Sequence, residues 1–415
     1  MTLTASQPRS APAPVQKDNP AAPDEVFIFP ATVAQRRFWL LDQMQPGNPA
    51  LNVPLAARLA GRLDRELLER AANEIIRRHE ILRTSFQLHG KDPVQVIHPQ
   101  KNIRLAWFDI SPLPESGREM RVHELLLEEG QRPFVLTDGL FLRGGLIRLH
   151  DEEHILMLTM HHIVCDGWSN GIVMREIAQI YNAFLAGGKL EELPLQYADF
   201  AQWQEDWLAS PAVAKHHQFW QSQLQGTLPF LNLPTDRPRQ ASRSHQSTIH
   251  TRLLPRSLSD AINDLCHREN LTPFMVYLTA YATLLQRYTG QRDIIIASPA
   301  ANRSQPDLEG LIGLFSNPLV MRLHFSSNLT LRFLLRQVKA LSLEVLEHQA
   351  YPFEKLIEEI QTDPLRSGLQ WLQAYFVFQK AFMQSQQMGN VTLTPLRSIS
   401  PGTLFEWMLG VLERP

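Results

Sequence analysis

From Val26 onward the apolar positions keep to two periods, and each period predicts a kind of element. The alternation in Val53-Pro54-Leu55-Ala56-Ala57-Arg58-Leu59 predicts a strand. Leu67, Leu68, Ala71, Ile75 and Ile76 then recur on one face of a helix. Two further strands, 141–149 and 154–160, flank the polar turn Asp151-Glu152-Glu153, and the second runs directly into His161 and His162. After Gly171 the residues Val173, Ile177, Ile180, Tyr181 and Phe184 return at helical spacing, so 166–170 reads as the loop between strand and helix. Farther on, the pattern predicts a buried helix at 271–288, a strand at 293–297, a loop and strand at 311–323 and a long helix at 331–348.

The segments between these elements suggest an organisation. Residues 1–27 carry Pro8, Pro12, Pro14, Pro20 and Pro23 among Ala, Ser and Gln, a composition that buries too little apolar surface to order itself. Two prolines and alternating charge in Leu233-Pro234-Thr235-Asp236-Arg237-Pro238-Arg239 mark an interdomain linker. The expected division is a leader over 1–27, a first lobe over 28–225, a linker over 226–240 and a second lobe over 241–415. A chain of 415 residues with 44% hydrophobic and 20% charged residues suits two compact units. Its 40 basic and 42 acidic side chains create no global field for nucleic acid or an anionic membrane. With only Cys165 and Cys266 there is no disulfide framework, and no basic-then-apolar leader or spanning apolar run stands out; a cytoplasmic location is expected.

Candidate chemistry concentrates in His161-His162-Ile163-Val164-Cys165-Asp166-Gly167. Successive strand residues point to opposite faces, so one histidine can meet a cleft while its neighbour anchors the loop. Asp166 can pin that loop through an arginine, and Gly167 permits close backbone approach. A metal reading of His162 and Asp166 would need both on one helical face; the strand-to-loop setting opposes it, and no metal is expected.

The motif and its surroundings resemble the condensation domains of nonribosomal peptide synthetases. Ala34–Gln43, Arg78–Phe86, Met160–Ser169, Tyr197–Gln204, Ile312–Asn317 and His348–Glu354 match the family's segments in order, and 369–379 is a degraded seventh. The resemblance implies an α/β fold of the two-layer α+β kind: two chloramphenicol-acetyltransferase-like lobes arranged as a V-shaped pseudo-dimer, with the second lobe shortened at its C-terminal end. It implies amide formation between a donor thioester and the amine of an acceptor, both carried on phosphopantetheine arms of carrier proteins in trans, with no cofactor bound by the chain itself. His162 takes the catalytic role. His161, Asp166, Gly167, Trp168 and Ser169 support it, with Asp166 paired to Arg83 or Arg78, or alternatively to Arg303. The paired histidines differ from the aspartate-based motif of heterocyclising relatives. Leu51-Asn52-Val53-Pro54 and the opening segment favour joining an L-configured donor to an L-configured acceptor rather than epimerisation. Plant-type coenzyme A acyltransferases share the histidine motif, but their late Asp-Phe-Gly-Trp-Gly is missing. A non-catalytic carrier-binding module or an inactive fragment is the alternative.

Overall fold

The computed structural model describes residues 26–236, 248–326, 330–361, 371–380, 384–396 and 405–413. Residues 1–25 of the expected leader, 237–240 of the expected linker and 369–370 of the seventh matching segment lie outside the described residues.

The larger sheet is six-stranded. It contains β2 (Asn52–Ala60), β5 (Ala106–Asp109), β6 (Leu142–His150), β7 (Glu153–His161), β11 (Gln386–Met388) and β12 (Val391–Pro395), in the order β11-β12-β2-β7-β6-β5. Strand β2 pairs antiparallel with β7 over its whole length, from Asn52 opposite His161 to Ala60 opposite Glu153. Helices α2 (Arg65–Arg78) and α4 (Gly167–Leu185) share its core, where Leu68, Ala71, Ile75, Ile172, Val173 and Ile177 are buried. A fully buried side chain of this size contributes roughly 1.5–3 kcal/mol, so this apolar face holds β7 and its terminal histidines in place.

A second sheet has the order β13-β10-β8-β9, built from β8 (Asp293–Ala300), β9 (Asn317–His324), β10 (Ala374–Lys380) and β13 (Trp407–Glu413). β8 and β9 run antiparallel, whereas β10 pairs in parallel with both β8 and β13. Its core takes Leu278 and Tyr281 from α8 (Pro273–Thr289), Val338 from α9 (Leu331–Glu347) and Phe353 and Leu356 from α10 (Phe353–Gln361). Three shorter strands, β1 (Phe27–Pro30), β4 (Asp92–Ile97) and β3 (Thr84–His89), form a separate small sheet beside α1 (Val33–Met44).

Three local features depart from the sequence expectations. Helix α4 starts at Gly167 rather than after Asn170. Asp166 and Ser169 form a reciprocal capping box that satisfies the first orphan amides and lets the helix begin ahead of its apolar stripe. Helix α6 (Ala214–Gln223) lies before residue 225 yet packs Trp220 into the core of the second sheet. After β10 the chain returns to the larger sheet, where β12 pairs antiparallel with β2 from Thr392 opposite Ala60 to Pro395 opposite Ala57. Residues 241–415 thus contribute to both sheets.

Candidate active site

The site forms where β7 gives way to α4. His161 ends the strand with its ring buried between Phe134 and Phe141, at centroid separations of 5.9 and 6.0 Å. Its Nδ1 accepts from the Ile163 amide at 3.1 Å. Burial, with help from the neighbouring His162 and Arg143, pushes its pKa down to about 3, so it is neutral. His162 opens a single 3-10 turn, His162–Val164, and is only partly buried. Its imidazole lies against Phe38 of α1, with ring centroids 4.8 Å apart and planes 21° from parallel. Burial lowers its pKa, with a smaller contribution from Arg37, while the Asp166 carboxylate opposes the shift. The turn is gripped from α1 by Gln35, whose Nε2 donates to the Ile163 carbonyl at 3.3 Å. Cys165 closes it by donating its thiol to the His161 carbonyl at 3.4 Å.

Asp166 is the electrostatic anchor. One carboxylate oxygen accepts from the Ser169 amide at 2.9 Å and the Ser169 hydroxyl at 2.8 Å. The other accepts from the Phe315 and Ser316 amides, both at 3.1 Å. Its ion-pair partner is Arg303, at 3.2 Å with both side chains buried. Arg303 continues to the carbonyls of Leu308 at 2.6 Å and Leu311 at 2.7 Å and stacks over Phe315. The sequence order of preference is therefore corrected, because Arg78 and Arg83 are committed elsewhere. Arg78, the last residue of α2, faces Glu176 on α4 at 3.2 Å and donates to the Glu191 carbonyl. Arg83 donates to the His98 carbonyl and pairs with Glu80 at 3.4 Å. Arg78 thus ties α2 to α4, and Arg83 ties the turn after α2 to the segment that follows β4.

The remaining motif residues tie α4 to the segment before β9. The Trp168 indole donates to the Glu309 carbonyl at 3.0 Å, and the Ser169 hydroxyl accepts from the Gly313 amide at 3.1 Å. A side chain on Gly167 would place its Cβ 3.2 Å from Nε2 of Gln379 on β10. Gly313 is more constrained still: a Cβ there would stand 2.0 Å from the Tyr197 ring. Tyr197, at the start of α5 (Tyr197–Leu208), donates to the Leu314 carbonyl at 2.8 Å and meets the Thr32 hydroxyl at 3.1 Å. Beside His162, Arg37 reaches Glu354 of α10 at 3.4 Å and lies over Phe353. The sequence places Gln35 and Phe38 in the opening family segment Ala34–Gln43 but gives neither a role at the site. Their spacing of three on one helical face beside Thr32 was the available signal.

Known proteins of similar sequence and structure identify the family. The family profile described as Condensation domain matches residues 27–402. One of the proteins that make up the linear gramicidin synthase of Brevibacillus parabrevis is 40% identical over 390 residues, covering 93% of this chain and 5% of that protein. The chain thus spans about a twentieth of that curated relative. Among solved structures, the X-domain from teicoplanin biosynthesis in complex with OxyB has a TM-score of 0.82 at 26% identity, covering 98% of this chain and 87% of that one. The condensation domain of the monacolin K polyketide synthase MokA superposes with a TM-score of 0.77 at 23% identity, over 94% of this chain and 90% of that one, which bears on the fold alone. These matches, with a mixed α/β architecture of the chloramphenicol-acetyltransferase-like kind, place the chain in the condensation-domain family of nonribosomal peptide synthetases.

Proposed function

We propose that this domain forms an amide bond between two carrier-bound substrates, with His162 as the catalytic residue. The carrying observation is the partly buried imidazole of His162, held on a turn that α1 grips, four residues before an aspartate that the segment before β9 holds. The acceptor amine attacks the donor carbonyl carbon, the new C–N bond forms as the C–S bond breaks, and the released phosphopantetheine thiol takes up the proton that the amine loses. Both substrates arrive on carrier proteins in trans, in the cytoplasm, and meet between two lobes arranged as a V.

The demand on a base is modest, since an α-amine has a pKa of about 7.7–8 and is partly neutral already. General-base help supplies roughly 10²- to 10⁴-fold, or about 3–5 kcal/mol, whereas positioning two tethered reactants supplies about 7–11 kcal/mol. His162 accordingly orients the amine and stabilises the tetrahedral state as much as it takes a proton. Its lowered pKa keeps the ring neutral at physiological pH, the state this role requires. His162→Ala, assayed for amide formation from pre-loaded carriers, should lose most of the rate; a near-normal rate would sink the proposal.

A second reading is favoured by the likeness to a domain solved in complex with another protein, the X-domain bound to OxyB. It makes this chain a recruiting module without chemistry of its own. Carrier or enzyme binding without product in the same assay supports that reading.

A further inference from the structure

The starting point is the proposed catalytic imidazole of His162, on which this inference rests. Such a ring is ordinarily oriented by a hydrogen bond that its second nitrogen donates, often to a carboxylate. Among the described residues no side chain has that role. The Nδ1 of His162 is buried with no side-chain partner among the described residues, and the backbone of His162 itself and of Cys165 lies beside it. Asp166, four residues on, has both oxygens engaged by Ser169, Phe315, Ser316 and Arg303. What meets the face of the ring is Phe38.

Phe38 is itself fixed. It is buried in the core of the larger sheet, and α1 is capped by a reciprocal box between Thr32 and Gln35. One residue before Phe38, Arg37 is tied to Glu354 on α10; three before it, Gln35 holds the carbonyl of Ile163 next to His162. A rigid aromatic plane thus covers the face of the ring, while only backbone meets the Nδ1 edge. We propose that Phe38 is the positioning residue of this site, fixing the plane in which the His162 imidazole meets the acceptor amine. The charged or titratable groups around the ring are Arg37 on α1, His161 on β7 and Asp166 at the cap of α4.

The test compares Phe38→Leu, Phe38→Ala, Phe38→Tyr and His162→Ala in single-turnover amide formation with pre-loaded carriers across pH. Phe38→Leu keeps the apolar volume but removes the flat ring. It should lower the rate about 2- to 10-fold, the span to which an aromatic stack of ordinary strength converts, with KM for the loaded acceptor unchanged. Phe38→Ala admits water, relieves the burial of His162 and should move the acidic limb of the profile to higher pH. Phe38→Tyr retains the plane and should restore both readouts. The position of the limb does not depend on the folded fraction, so a destabilised variant still reports. Parent-like rates and limbs in the Leu and Ala variants, with His162→Ala inactive, overturn the role of Phe38 alone. An active His162→Ala overturns the proposed function and this inference together.

Discussion

Replacing Asp166 by Asn keeps the shape of the side chain and removes its charge. The carboxylate is buried and surrounded solely by donors: the Ser169 amide and hydroxyl, the Phe315 and Ser316 amides and the Arg303 guanidinium. An amide must turn its NH2 toward one half of that ring. If it faces Phe315 and Ser316, two backbone N–H groups lose their acceptor at roughly 1–3 kcal/mol each. If it faces Ser169 and Arg303, a buried cation meets a donor, and breaking a buried pair in this way costs about 3–5 kcal/mol. The two orientations together bracket a loss of about 2–6 kcal/mol. Urea unfolding followed by tryptophan fluorescence measures it, with Trp168 as a local reporter in the first turn of the helix that Asp166 caps. Adding Arg303→Met completes a double-mutant cycle, and the double variant should cost less than the two singles combined. A loss under about 1 kcal/mol, the range of an exposed pair, or strictly additive variants would refute the reasoning.

Gly313→Ala should destabilise by about 1–3 kcal/mol or more, because its Cβ would lie 2.0 Å from a Tyr197 ring held by Leu314 and Thr32; thermal unfolding reads the loss. His161 predicts a pH dependence. Its folded pKa of about 3 lies below the unfolded value near 6.5, so the unfolded state binds the extra proton and stability falls as pH drops below 6.5. Between pH 6.5 and 5 this group alone accounts for roughly 2 kcal/mol, and His161→Phe should flatten that slope in denaturant titrations at several pH values. A slope unchanged by the substitution refutes the assignment.

Elements with a clean period were legible before any coordinates. The stripe Leu67, Leu68, Ala71, Ile75 and Ile76 is the buried face of α2, and the alternation after Val53 is β2. The strand ending in two histidines and the long helices α8 and α9 follow the same logic, since burial on one face imposes the period that reveals the element. The start of α4 was not legible. Gly167, Trp168, Ser169 and Asn170 have no apolar period, and a helix that begins on a capping box looks like a loop until the hydrogen bonds are seen. Partnership across the chain was legible least. Nothing in the spacing distinguishes Arg303 from Arg78 or Arg83, because the choice is made by a contact 137 residues away and by Glu176, which engages Arg78 from α4. The role of Phe38 was hidden for a related reason: an aromatic in an amphipathic helix reads as core, and it does lie in the core of the larger sheet, with its ring also laid on His162.

The pairing of β12 with β2 has a consequence in time. Ala60 and Thr392 are about 330 residues apart in the chain, and at roughly 5–20 residues per second a ribosome takes some tens of seconds to make the second after the first. Throughout that interval the outer edge of β2 has no partner, although β6 and β7 emerge in its first third and can pair before β12 exists. The nascent domain thus spends much of its synthesis with an unpaired strand edge beside a nearly finished sheet, the condition under which chains pair with each other instead of with themselves. Expression at a lower temperature, or in the presence of holdase chaperones, acts on that waiting period rather than on the stability of the finished fold.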